Sequence, residues 1–437
     1  MARSLGPLHP ADALFAHIEY ADRARTQTVL QVGSSDSLFP ALPCSPRHNP
    51  EFDMSSSRSS FPFRSDPIPR RDLLRGVVGG VALVGLGPLI VSCAATTRTS
   101  SAPATTMVER LGEARAEILR YASLAPSGHN AQPWRVTVET PNRWTLSLDP
   151  ERLLPEVDPE NREAMLSLGH FLENLVLAAG SMGLEADVEV LAEERHDREV
   201  ARIHLTAGTP TGDPLRRLSL RRTLRSGYSP EELSRSDVDV LLGLLDGAGT
   251  YVPRGSREAD WIEEAEVEAM RKQTWHDPSQ KELSDWVHLD RSRARRRQDG
   301  LTPNTMEASW FARQYMYLFM DEDTVMTQSF REKGIEAVAQ QVQEGAGWIV
   351  VTSPDDRPAS LLDVGRRTQR MWLRCRKRDV AVHPMSQVLE EAPWRHRAAG
   401  ALNLDREPQY LLRVGYVDDY PEPVSMRRPV EEFTTIA

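Results

Sequence analysis

The chain has 437 residues, 40% of them hydrophobic and 27% charged, which supports a sizeable core, excludes global disorder and calls for more than one unit of roughly 100–200 residues. Of the net charge of −10, the first 93 residues carry nine basic and eight acidic side chains, which leaves an acidic remainder and argues against nucleic acid as a partner. Three cysteines, Cys44, Cys93 and Cys375, without a CxxC pair, exclude a disulfide framework and suggest no metal site.

Residues 1–53 lack pattern and are expected to lie outside the native protein or to be disordered, with Met54 the more natural start. Residues 54–93 read as an export signal: Arg70-Arg71-Asp72-Leu73-Leu74, an uncharged run over 76–92, then Ile90-Val91-Ser92-Cys93. The arginine pair resembles a twin-arginine signal and the junction a lipoprotein box, so Cys93 is the expected lipidation site, with an envelope or periplasmic location and possible membrane anchoring. The 76–92 run, with five glycines and a proline, is a weak candidate for a stable span. Residues 94–106 form a Ser/Thr/Ala/Pro tether.

The body divides into halves at 107–213 and 214–437. A capping box, Thr106-x-x-Glu109, introduces a helix carrying Val108, Leu111, Ile118, Leu119 and Ala122. Trp134–Glu139 and Trp144–Leu148 read as strands around a Pro141-Asn142 turn, and Arg162–Met182 as a long helix stopped by Gly183. Strands follow near 187–191 and 201–205. In the second half the same grammar returns with a strand over 347–352, a helix over Leu361–Lys377 and a final strand over 410–416. Gly169 aligns with Gly365 at an offset of 196, which predicts an internal duplication. Residues 254–320 read as an irregular polar insertion. Its arginine run, 291–297, is taken as a solvated helix face, with part of a lid over an anionic ligand as the alternative.

Three segments carry candidate chemistry. Ser127-Gly128-His129-Asn130-Ala131-Gln132 presents a hydroxyl, an imidazole and two amides in six residues, which suits a heterocycle of alternating C=O and N–H groups. Arg221-Arg222-Thr223-Leu224-Arg225 and Arg427-Arg428 supply guanidinium forks suited to phosphate. No GxxxxGK[ST] is present, and no GxGxxG follows a strand. His129 reads as structural rather than catalytic, and Cys375 as a buried small hydrophobe.

These stretches resemble the nitroreductase family of FMN enzymes: APSGHNAQPW, RRTLR, and LLRVGY followed by RRP. The resemblance covers roughly 107–437. It implies an α+β nitroreductase-like sandwich, internally duplicated so that one chain mimics the family homodimer. The first half has the Asn/Gln loop without its own RRSxR, and the second has RRTLR without its own loop. One complete composite site, one decayed site and a monomer are therefore expected. The resemblance implies that Arg221, Thr223, Arg225, Arg427 and Arg428 hold the FMN phosphate and ribityl chain. It places Ser127, His129, Asn130 and Gln132 about the flavin, with Pro384, Met385 and Ser386 near its N5 edge. It implies no catalytic side chain, since the flavin takes and gives hydride itself. The expected activity is two-electron reduction of nitroaromatic- or quinone-like compounds with NAD(P)H or another donor. A non-catalytic protein with a covered FMN is the alternative, and an interaction module with an empty pocket is a third reading.

Overall fold

A computed structural model describes residues 101–437. The predictions for 1–100, including the export signal and Cys93, lie outside the described residues. The chain opens with α1 (Thr105–Leu111) and α2 (Glu113–Ala122). The predicted single helix is thus two, because Gly112 takes a φ of +79°. The capping box does not form: the N-cap is Ala104 and has no side-chain cap.

Next come β1 (Trp134–Thr140), β2 (Arg143–Leu148), α3 (Arg162–Ser181), β3 (Leu184–Val190) and β4 (Glu199–Ala207). After α4 (Leu215–Leu220) and α5 (Arg235–Gly243), β5 (Gly249–Pro253) begins a second sheet. It continues with β6 (Gly347–Ser353), α12 (Pro358–Cys375), β7 (Val380–Pro384) and β8 (Glu407–Tyr416), once the intervening helices are counted. Those are α6 (Arg257–Trp275), α7 (Asp277–Trp286), α8 (Arg291–Arg297), α9 (Trp310–Phe319), α10 (Glu322–Val325) and α11 (Gln328–Gln341). The chain then adds α13 (Gln387–Glu390) and α14 (Ala392–Ala401) between β7 and β8, and ends with α15 (Val430–Phe433) and β9 (Thr434–Ile436).

The two sheets share one strand order. The first runs β3-β4-β2-β1-β9 and the second β7-β8-β6-β5. In each half the first two strands pair antiparallel, the long helix follows, and the third strand returns to the outside of the fourth. Where the first half has the Pro141-Asn142 turn, the second has residues 254–346. The predicted irregular insertion is therefore longer than 254–320, and it is helical. Its polar composition hid helices whose one apolar side packs on the far face of β6.

That face explains β6 itself. Ile349 and Val351 point to the main core, while Trp348 and Val350 point to a second core with α6, α13 and α14. A strand covered on both faces reads as a continuous apolar run, as Trp348-Ile349-Val350-Val351 does. Between the sheets, α3 and α12 cross at glycines. A Cβ on Gly169 would meet the Leu362 carbonyl and lie 2.9 Å from Gly365 Cα, and a Cβ on Gly365 would lie 2.9 Å from Gly169 Cα. Around the crossing, Gln369 donates to Asn174 Oδ1 at 2.7 Å, and Arg370 pairs with Glu173 at 2.6 Å.

Glu266 on α6 is wholly buried. Among the described residues no hydrogen bond of ordinary geometry satisfies its oxygens, although the Val388 and Gln387 amides face it. Desolvation pushes its carboxyl up from 4.5 to about 8. Its stabilising contribution is thus full below the unfolded value and lost as pH rises toward 8. Glu266→Gln, which stays neutral, should gain on the wild type from pH 5 to 8, by roughly 1.4 kcal/mol per unit at most. Urea unfolding at the two ends of that range checks this, and parallel pH profiles would refute it.

Candidate active site

The Asn/Gln loop bridges α2 and β1 under strain. His129, Asn130 and Gln132 all take left-handed φ values, 48°, 55° and 59°. Non-glycine residues pay about 1–2 kcal/mol each for that region, asparagine less, so surrounding contacts must hold the loop. The Ser127 hydroxyl accepts from Gln132 N at 3.0 Å and ties the loop to itself.

The holding contacts come from the far end of the chain. Arg427 Nη1 donates to Asn130 Oδ1 at 2.7 Å, and Arg428 N donates to Gln132 Oε1 at 3.0 Å. Arg428 Nη2 also reaches the carbonyls of Gln132 and Trp134, at 2.6 and 3.0 Å. Strand β9 then adds to β1 in parallel, pairing Val136 with Thr434. This accounts for why the RRP segment lies beside a loop from the other half.

Arg221 comes to the same place. Its Nη2 donates to the Leu124 carbonyl at 3.0 Å, and Arg427 Nη2 shares that oxygen at 3.4 Å while donating to Ala125 O at 3.0 Å. The Arg221 guanidinium also lies 4.9 Å from the Trp372 ring centroid. Burial pushes Arg221 down to about 10, and burial with the Arg221 charge pushes Arg427 down to about 9. Arg428, also held near 9 by burial, has Asp149 at 3.6 Å. Among the described residues Arg427 makes no ion pair: its acceptors are an amide oxygen and backbone carbonyls.

Arg225 belongs to a neighbouring group built on the second sheet. His383 on β7 stands opposite Arg413 on β8. Arg225 Nη1 approaches His383 Nε2 at 2.6 Å, and Arg413 Nη2 faces Nδ1 at 3.4 Å while donating to Arg225 O at 2.6 Å. Burial and two adjacent guanidiniums hold this imidazole well below 6.5, and therefore neutral. Burial and the Arg225 charge likewise push His129 down to about 4, which links the loop to this group electrostatically. Thr223 is half-buried between the two arginines.

The remaining predicted residues point elsewhere. Pro384 ends β7 opposite Leu412. Met385 packs in the second core, and Ser386 Oγ accepts from Leu411 N at 3.4 Å. Two clefts, about 500 Å³ beside Val240 and Arg374 and about 330 Å³ beside Ala248 and Arg406, are lined by residues other than these.

The insertion contributes what sequence reasoning missed. Residues 298–307 lie across the site as a strap. At one end Gly300 N donates to Asn130 O at 3.2 Å, Asn130 Nδ2 returns to Gly300 O at 3.2 Å, and Gln132 Nε2 donates to Gln298 O at 2.9 Å. Arg152 pins Asp299 at 2.8 Å, and buried His288 holds its other oxygen at 2.8 Å. At the other end Arg225 Nε donates to Thr305 O at 3.1 Å. There Glu307 Oε2 accepts from Arg225 N, Ser226 N and Ser226 Oγ at 2.9, 3.0 and 2.9 Å, and Oε1 from Arg222 Nη2 at 2.9 Å. A carboxylate cradled by two amides, a hydroxyl and a guanidinium sits where an oxyanion of a ligand could sit. No local motif marks Glu307, because only the fold brings it to RRTLR.

PigM of Serratia sp. (strain ATCC 39006), named a probable NAD(P)H nitroreductase, is 23% identical over 323 residues, covering 68% of this chain and 86% of PigM. The similarity is to the nitroreductase family. The uncharacterized protein Rv3127 of Mycobacterium tuberculosis (strain ATCC 25618 / H37Rv) is 25% identical over 334 residues, covering 72% of this chain and 91% of its own. Among solved structures, the FMN-dependent nitroreductase NfnB of Mycobacterium smegmatis, in complex with NADPH, is 16% identical, with a TM-score of 0.32, covering 51% of this chain and 96% of NfnB. No family model matches the chain. Against the nitroreductase resemblance, the loop and both arginine segments meet in one region. The loop amides, however, hold the C-terminal arginines and the strap rather than standing open.

Proposed function

We propose that this chain is an FMN-dependent oxidoreductase of nitroreductase type with one composite flavin site. The observation that carries the reading is two buried guanidiniums, Arg221 and Arg427, converging on the Leu124 carbonyl. A guanidinium buried without a carboxylate, as Arg427 is among the described residues, costs several kcal/mol unless an anion joins it, and a phosphate supplies one. The residues fit that group: the buried Nε atoms of Arg427 and Arg428 have no hydrogen-bond partner among the described residues. Arg221, Arg225 and Arg427 would hold the phosphate, with Thr223 near it. When bound, FMN supplies two-electron hydride chemistry. The protein orients the loop through Arg427 and Arg428, keeps His383 neutral between two guanidiniums, and excludes water with the strap. NAD(P)H, the donor in PigM's name, is the proposed reductant, and nitroaromatic- or quinone-like compounds the proposed substrates.

The common strand order and the glycine crossing support a duplicated ancestor whose two halves occupy the places of two subunits. Export with a lipid anchor on Cys93 remains the reading of the 54–93 segment. The strap favours one second reading, a protein that keeps FMN covered and does not turn over.

The test is the visible spectrum of the full chain after reconstitution with FMN, beside Asn130→Ala/Arg427→Ala. The expected result is about one flavin per wild-type chain and none in the variant, since losing a charge-assisted contact costs about 1.5–3 kcal/mol each. Bleaching on adding NADPH would support the enzyme, and a bound flavin that ignores NADPH and dithionite would support the covered store. A colourless wild type would overturn both.

A further inference from the structure

Helix α9 leaves most of its apolar surface in water. Trp310, Phe311, Leu318 and Phe319 are 57%, 51%, 72% and 72% exposed, and Met316 is its buried residue. At 100° per residue, positions 310, 311, 315, 318 and 319 fall within one half of the helix circumference. Trp310 and Phe311 pack edge to face at 4.8 Å, and Tyr315 lies 5.2 Å from Phe319, so two aromatic pairs follow one another along that side of the helix. Such a patch on a protein surface marks an interaction site.

Its rim carries both signs, with the acids Asp321, Glu322 and Asp323 exposed just beyond Phe319 and a basic helix alongside α9. Helix α8 carries five arginines and no acid. It is fixed against α9 by Arg291, which donates to Gln314 Oε1 at 2.8 Å and stacks 4.5 Å over Tyr317. Arg293 pairs with Glu322 and Arg297 with Asp299, which leaves Arg295 and Arg296 exposed on the helix that Arg291 fixes to α9.

We infer that α8 and α9 form a docking face for an anionic phospholipid surface, with the aromatic side chains entering the headgroup boundary and the arginines meeting lipid phosphates. Tryptophan, phenylalanine and leucine on one side with basic residues alongside is the composition of helices that lie in a bilayer interface. Each arginine near an anionic leaflet strengthens attachment severalfold, and salt screens the effect. The inference uses neither the flavin site nor Cys93.

The experiment is sedimentation of the full chain with phosphatidylglycerol-rich and with pure phosphatidylcholine vesicles, at low and high salt. Three chains are compared: wild type, Trp310→Ser/Phe319→Ser, and Arg295→Gln/Arg296→Gln. All four positions are exposed, so thermal unfolding should match the wild type. Expected is salt-sensitive binding to the anionic vesicles, weakened about tenfold or more by either double variant. Equal binding by the aromatic variant would overturn the inference and assign attachment to another segment. So would equal binding to neutral vesicles, or no vesicle binding together with a concentration-dependent dimer that the aromatic variant abolishes.

Discussion

Gly365→Leu should yield no folded, soluble chain, and Gly169→Ala should already cost about 1–3 kcal/mol. At this crossing α3 and α12 touch backbone to backbone, with each glycine 2.9 Å from the Cβ its partner would carry. A side chain here must push the helices apart, and each helix carries core residues against its own sheet. The strain therefore spreads through both halves instead of relaxing locally. Gly243→Ala on α5 is the control. Nothing lies within 4 Å of a Cβ there, so it should gain about 0.5 kcal/mol from better helix propensity. Denaturant unfolding of Gly169→Ala and Gly243→Ala, with soluble yield for Gly365→Leu, reads all three. A Gly169→Ala midpoint equal to the wild type would refute the close crossing.

Glu307→Gln should free the strap. The carboxylate collects four hydrogen bonds from Arg222, Arg225 and Ser226, one from a guanidinium. Its amide replacement can accept on one oxygen only, so it loses at least the bond at the other, and it loses the charge. Hydrogen bonds to charged groups contribute about 1.5–3 kcal/mol, so roughly 2 kcal/mol is the expected loss, or about 30-fold in strap opening. Hydrogen exchange across residues 298–307 should accelerate by about that factor, while protection in β6 and β8 stays unchanged. On the flavin reading, FMN uptake and release should accelerate together, because the latch is removed without touching Arg221 or Arg427. Unchanged exchange in the strap would show that Arg152 and Asp299 hold it without Glu307.

Much of the frame was legible because its signals are local. The period-two strands at 134–140 and 143–148, the long apolar helix 162–181 and its later counterpart all fall within a few residues of their sequence-read bounds. Gly169 and Gly365, matched only by spacing, turn out to touch. The insertion was misread because its helices bury a narrow stripe under a charged exterior, and composition alone resembles a loop. The candidate site was half legible. Asn130, Gln132 and the arginines announced polar binding chemistry, but their partners did not. Arg413 reads as one arginine inside an apolar strand until His383 stands across from it. Glu307 and Gln298 carry no signal at all, since their roles arise from contacts 82 and 166 residues away in sequence.

The parallel join of β9 to β1 sets an order of assembly during synthesis. Arg428 and Gln132 are 296 residues apart, so the loop cannot be clamped until almost all of the described chain has been made. Through that interval β1 presents an open edge, which is where growing chains pair wrongly with their neighbours. At the slow end of translation, about 5 residues per second, the exposure lasts on the order of a minute. A folding helper able to cover β1 would protect that edge during the interval, and the candidate site would be the last part of the molecule to form.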